Sequence, residues 1–151
     1  MRNTAQARLP FRQLAPQAVQ ALSGFSQAIN SSSIPQPLID LIYLRVSQLN
    51  GCAYCTDLHW RDLLKQAEDA RKLNTLQVWQ ESPLFSSGER AALAWTDALT
   101  RNQHEIQDAA FAQLQTQFAV QEIVDITMAI ACMNAWNRIG VGMRLPIAMT
   151  L

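Results

Sequence analysis

Leu44-Arg45-Val46-Ser47-Gln48-Leu49-Asn50-Gly51-Cys52-Ala53-Tyr54-Cys55-Thr56-Asp57-Leu58-His59 is the stretch on which the fold turns. Its first half closes a helix: Leu38, Ile42, Arg45 and Leu49 recur at helical spacing, and Pro35 and Pro37 suit the first turn. Asn50-Gly51 reads as the C-terminal stop. A second helix then begins at or near Cys52 and runs to about Ala67. Two helices meeting at a two-residue stop, with both cysteines at the start of the second, set the pattern for the whole chain.

Working outward, further helices are predicted and no run of period-two alternation supports a strand. One helix covers Pro16 to Ala28 and ends at Ser31-Ser32-Ser33. Another is expected from Glu68 to Gln80, carrying Leu73, Leu76 and Trp79. Ser86-Ser87-Gly88-Glu89 fits a capping box, with Ser86 as cap and Glu89 reaching back, ahead of a helix to about Thr100. A short helix follows from Asp108 to Gln117. The last, about Val120 to Met143, is apolar nearly all round and is expected to be buried on most sides, with a break at Gly140 as the alternative. The fold class is therefore all-α, with six to seven helices in a single domain, residues 1–151, whose core spans about 38–145.

The 151 residues carry 12 Lys and Arg against 12 Asp and Glu, a formal charge of 12 − 12 = 0. That excludes electrostatic nucleic-acid binding as the organising function. Charged residues make up 16% and hydrophobic ones 49%, against about 25% charged in an average domain. The shortage of charge points to surface covered by more than one chain. Three cysteines are too few for a disulfide framework and fit a reducing compartment. Asp125, Asn134, Asn137, Arg138 and Arg144 interrupt the apolar final stretch, so no membrane span is expected, and the cytoplasm is the default location.

One constellation carries chemistry. Cys52, Cys55 and His59 are three and four residues apart and share a helix face. At a helix start the free backbone N–H groups and the dipole favour a thiolate. His59, one turn on, can take or return a proton. A thiolate that attacks a peroxide becomes a sulfenic acid, which a neighbouring thiol resolves as a disulfide. Two other readings use the same residues. Zinc could take Cys52, Cys55 and His59, with Asp40, Cys132, His104 or water as fourth ligand; or all three are packing residues. Cys132, within the apolar last helix, reads as a buried inert thiol, and His104 as solvated in a polar loop. Trp60, Trp79, Trp95 and Trp136 read as core or subunit contacts. Arg45 and Arg138, within apolar helices, call for partners such as Asp40, Asp125 or Glu89.

The segment Asp40 to His59 resembles the core signature of AhpD-like alkylhydroperoxidases in the carboxymuconolactone decarboxylase superfamily. That signature is a Glu, a C-x-x-C twelve residues later, and a His four residues after the second Cys. Leu44 to Cys55 is similar to the peroxidase-related branch, as are Ser82-Pro83-Leu84-Phe85-Ser86, Glu89 to Trp95, and Asn134-Ala135-Trp136-Asn137-Arg138. The resemblance implies an all-helical fold, homo-oligomers (trimers or hexamers) and neither metal nor organic cofactor. It implies Cys55 as peroxidatic thiol, Cys52 as resolving thiol and His59 in the relay. The chain departs from the pattern at two places. Asp40 stands where the family has Glu, one methylene shorter, with on the order of 1 Å less reach, a scale to which catalytic geometry is sensitive. Tyr54 stands where the best-known members have His.

The expected function is a thiol-dependent peroxidase acting on a hydroperoxide and recycled by an external thiol or dithiol. The alternatives are a disulfide reductase or redox-responsive protein using the same pair, and a non-catalytic oligomer with a vestigial site.

Overall fold

The computed structural model describes residues 6–147. Among these the regular elements are helical: α1 (Phe11–Leu14), α2 (Pro16–Asn30), α3 (Gln36–Asn50), α4 (Ala53–Lys65), α5 (Ala70–Asn74), a 3₁₀ turn (Leu76–Val78), α6 (Ser87–Thr100), α7 (His104–Gln115) and α8 (Val120–Met143). The all-α expectation holds, with more and shorter pieces than six or seven.

Helix α3 is the organising element. Residues 39–47 are buried without a break. One side, Ile39, Ile42 and Val46, joins the cluster that includes Ile126 and Ile130 of α8. Leu41 and Leu44 join a second cluster with Leu63 of α4 and Leu93 of α6. A helix that feeds two cores is apolar on opposite faces, which accounts for its weak amphipathic pattern. Gly51 ends it with φ 68°, a left-handed conformation that favours glycine. Cys52 then caps α4, its Sγ accepting from the Cys55 N–H at 3.3 Å.

Several boundaries and pairings differ from expectation. The predicted helix over 68–80 is broken. The Asp69 side chain accepts from Arg71 N at 2.8 Å and starts α5. Thr75 donates its hydroxyl back to the Lys72 carbonyl at 3.1 Å and ends it. Helix α7 starts at His104 rather than Asp108, because Asn102 turns the chain with φ 52° and a new helix follows at once. His104 is thus in a first turn, still exposed. The capping box is present as read, Glu89 N donating to Ser86 Oγ and Ser86 N to Glu89 Oε2. Helix α8 runs unbroken through Gly140 over the predicted bounds. It is less enclosed than expected, since Val120, Val124 and Met128 form an exposed stripe.

The anticipated arginine partners are corrected. Arg45 pairs with Asp97 of α6, not with Asp40, Asp125 or Glu89: Nε to Oδ1 and Nη2 to Oδ2, both 2.6 Å. The fork of a guanidinium matches a carboxylate bidentately, and α6 rather than α4 faces it. Arg138 is exposed and donates to Asn50 Oδ1 at 3.1 Å. Among the described residues no helix is long and apolar enough to cross a membrane.

Candidate active site

Helices α3 and α4 form a hairpin around the Gly51-Cys52 turn, and the site lies along their facing sides. Gln36, Asp40 and Tyr43 recur at spacings of four and three on α3; Cys55, His59 and Asp62 recur at four and three on α4, with Gln66 four further on at its C-cap. All seven border one cleft of about 660 Å³. Helix α8 contributes Met133 and Trp136 to its wall, α2 contributes Ser26, and α1 brings Arg12 to it.

The turn that carries the cysteines is clamped to α8. Asn50 Nδ2 donates to Asn134 Oδ1 at 2.9 Å and to Asn137 Oδ1 at 3.1 Å. Asn137 Nδ2 donates to Ser47 Oγ at 3.1 Å. A buried polar network that is satisfied in this way fixes one geometry. It gives a structural reason for the Asn134-to-Arg138 block: those side chains hold the end of α3, and so the start of α4, in register.

Cys52 and Cys55 are joined as a disulfide, with Cα atoms 5.4 Å apart. Their surroundings differ. Cys55 is 5% exposed and borders the cleft, while Cys52 is 2% exposed and does not. Behind the pair stands Gly140 of α8. A Cβ at that position would lie 2.8 Å from Cys52 Sγ and 3.3 Å from Cys55 Sγ. The glycine is thus a requirement of close approach: a side chain there would run into both sulfurs. With both sulfurs in the disulfide, the Cys52, Cys55 and His59 zinc set keeps His59 as its one available ligand.

Asp40 and His59 face each other across the hairpin. His59 Nδ1 lies 3.4 Å from Asp40 Oδ1 and makes no aligned hydrogen bond. Asp40 Oδ2 instead accepts from Gln36 Nε2 at 3.0 Å and Gln66 Nε2 at 2.8 Å. The contact between His59 and Asp40 is long for a hydrogen bond. Burial pushes the Asp40 carboxyl up; His59 and the two amide donors outweigh it and hold the pKa below the usual value. The Tyr43 ring meets the His59 imidazole edge-on at 5.0 Å and fixes its plane.

Two other candidates separate from the site. Cys132 is fully buried, 3.3 Å from Ser26 Oγ. Burial raises its thiol pKa, outweighing the lowering effect of the neighbouring Ser26 and Tyr43 hydroxyls, so it stays a thiol. His104 is exposed on α7 and does not border the cleft. Of the tryptophans, Trp79 and Trp95 are buried, Trp136 lines the cleft and Trp60 is 38% exposed. Gln36, Tyr43, Asp62, Gln66 and Gly140 were not singled out from sequence. The first four share the faces of Asp40 and His59 at helical spacing, a signal that was legible; Gly140 requires knowing that α8 crosses at the disulfide.

Comparison with known proteins agrees with this architecture. The family model for the carboxymuconolactone decarboxylase family matches residues 16–98. The uncharacterized protein YdfG of Bacillus subtilis is 30% identical over 137 residues, 90% of this chain and 93% of that protein. A protein of unknown function from Agrobacterium tumefaciens, carrying the name of the antioxidant defence protein AhpD, superposes with a TM-score of 0.92 at 36% identity, over 95% of this chain and 99% of that one. The debrominase Bmp8 shares the fold alone, with a TM-score of 0.80 at 24% identity over 89% of this chain and 73% of that one. The chain belongs to the carboxymuconolactone decarboxylase family and has the AhpD-like fold.

Proposed function

We propose that this chain is a thiol-dependent peroxidase. The observation that carries the reading is the division of the cysteine pair: Cys55 borders a cleft it shares with His59 and Asp40, and Cys52, packed against Gly140 of α8, does not. The Cys55 thiolate, favoured by the free N–H groups of the first turn of α4, attacks the distal oxygen of a hydroperoxide. The O–O bond breaks, Cys55 becomes a sulfenic acid, and the leaving alkoxide takes a proton through His59, which Asp40 orients. Cys52 then attacks the sulfenic sulfur, water leaves, and the disulfide forms. An external dithiol restores the pair by exchange, donating two electrons and two protons. Asp40 and His59 act as relay and Cys55 and Cys52 as the reacting thiols.

The cleft favours a small hydroperoxide over a protein disulfide as oxidant. Its volume is in the range of small-molecule sites, and both sulfurs are almost wholly buried, out of reach of a folded partner. The reductant must enter the same way, so it is a small dithiol or a flexible segment. We assign the cytoplasm as the compartment, since the cycle needs a supply of thiol. We also propose a homo-oligomer, trimer or hexamer, assembled through the exposed stripe Val120, Val124 and Met128 of α8. Light scattering behind size exclusion should give a multiple of the 16.9 kDa chain, and Val124→Glu should lower it; a monomer at micromolar concentration overturns that part.

The decisive experiment follows turnover of cumene hydroperoxide with a small dithiol. Cys55→Ser should abolish turnover, and Cys52→Ser should leave a sulfenic acid that a dimedone probe traps on Cys55. Full turnover in Cys55→Ser would sink the reading, and reduction of protein disulfides in place of peroxide would favour the reductase alternative.

A further inference from the structure

Asp62 is a part of this cleft that the peroxidase chemistry does not use. It stands one turn after His59 on α4 and faces Asp40 of α3. One ligand atom from each of Asp40, His59 and Asp62 lies within 4.8 Å of the other two; Asp40 and His59 are buried and Asp62 is half-buried. The second observation is His59 itself. Its Nδ1 is a buried polar atom without a hydrogen-bond partner, in a residue 8% exposed, and it is turned toward Asp40 Oδ1. Leaving such an atom unpaired is unfavourable, and two carboxylates this close repel. Lys65 answers one of these charges from the surface, at 3.0 Å from Asp62 Oδ1. A cation at the centre would satisfy the nitrogen and both acids together.

We propose that Asp40, His59 and Asp62 bind a divalent first-row transition ion, with zinc as the reference case. One imidazole nitrogen and two carboxylate oxygens are a borderline donor set, suited to zinc, iron or manganese; the imidazole disfavours magnesium and calcium. Three protein ligands leave a fourth, open position. Bonds of about 2.1 Å put tetrahedral ligand atoms roughly 3.4 Å apart, so side-chain movements of about an ångström close the site. Gln36 and Gln66 hold Asp40 by Oδ2 and leave Oδ1 for the ion, as supporting groups do around metal ligands. Binding withholds His59 from proton transfer, a consequence that rests on the peroxidase reading, whereas the site itself does not.

The test is calorimetry with zinc chloride on the full chain in its disulfide form, whose Cys52 and Cys55 cannot ligate. One equivalent should bind with micromolar affinity. Asp62→Asn should weaken it by about tenfold or more, while His104→Ala, at the exposed histidine of α7, should leave it unchanged. In the unmutated protein the ring ¹⁵N signals of His59 should shift with zinc, a readout that does not depend on how the variant folds. The proposal is overturned by absence of stoichiometric binding, by unchanged affinity in Asp62→Asn, by loss of binding in His104→Ala, by still ring signals, or by magnesium binding as tightly. Because no turnover is read, failure here leaves the peroxidase reading standing.

Discussion

Helix α3 carries two buried charged residues, Asp40 and Arg45, and they are treated in opposite ways. Arg45 is closed off. Its guanidinium grips Asp97 with two 2.6 Å bonds, and Trp79 Nε1 donates to the same carboxylate at 3.3 Å. Asp40 is left open. Its histidine stands 3.4 Å away with Nδ1 unpaired, and a cleft reaches both. The first pair has every strong group satisfied and nothing to offer a ligand. The second is pre-positioned but incomplete, which is what a proton relay or a cation site requires. The lesson is that burial alone does not mark a functional charge; an unfinished hydrogen-bond inventory beside a cavity does.

The largest effect should come from breaking the closed pair. Asp97→Ala strands a buried guanidinium and an indole N–H, which costs on the order of 3–5 kcal/mol. Urea unfolding should show a midpoint far below that of the parent. Asp40→Ala, by contrast, should cost well under half as much, because the cleft reaches the site and the two glutamines can turn to other partners. Equal losses would erase the distinction between the pairs.

Next in size is Gly140→Ala. The added methyl would meet Cys52 Sγ at 2.8 Å. Such overpacking costs roughly 1–3 kcal/mol, and the cost should be larger once the sulfurs must part. Thermal unfolding of the oxidised and reduced proteins should therefore fall unequally, the reduced form further. An equal drop in both forms would mean the glycine serves helix packing and not the sulfur pair.

The open pair itself is sharpened by lengthening it. If the 3.4 Å gap limits the relay, Asp40→Glu should raise kcat/KM for cumene hydroperoxide by several-fold, and Asp40→Asn should lower it by about tenfold to a hundredfold. An inert Asp40→Glu would show that the gap is bridged already.

These contrasts also explain what the sequence could and could not disclose. The bounds of α8, the Ser86–Glu89 box and the cap at Cys52 are local: spacing and helix-end chemistry specify them, so they were legible. The pairing of Cys55 with His59 was legible from helical periodicity, and the addition of Asp40 from the family signature. The partner of Arg45 was not, since Asp97 is fifty-two residues away and any nearby acid reads as well. The break between α5 and the 3₁₀ turn depends on Thr75 choosing a backbone carbonyl over helix continuation. Gly140 has no signature at all; its meaning comes from which helix crosses the disulfide.

A third charged cluster lies between the two extremes and gives the smallest effect. Lys72 sits between Glu68, at 3.1 Å, and Glu89, which also closes the α6 capping box. Burial lowers the Lys72 pKa, but its two carboxylates outweigh burial and raise it above the usual lysine value. A raised folded-state pKa means that this contribution is fully present below the unfolded lysine value of about 10.4 and fades as pH climbs through the folded one. Tyr43 moves stability the same way: burial, with Cys132 and Asp40 next to it, holds its phenol neutral above its ordinary pKa, so alkali favours the unfolded chain there too. The two are separated by comparison. The stability difference between the parent and Lys72→Met should be constant from neutral pH to about 10 and shrink above it, leaving the Tyr43 slope in both proteins. A difference that stays constant into strong alkali would mean that Lys72 acts through the packing of its buried side chain and not through its charge.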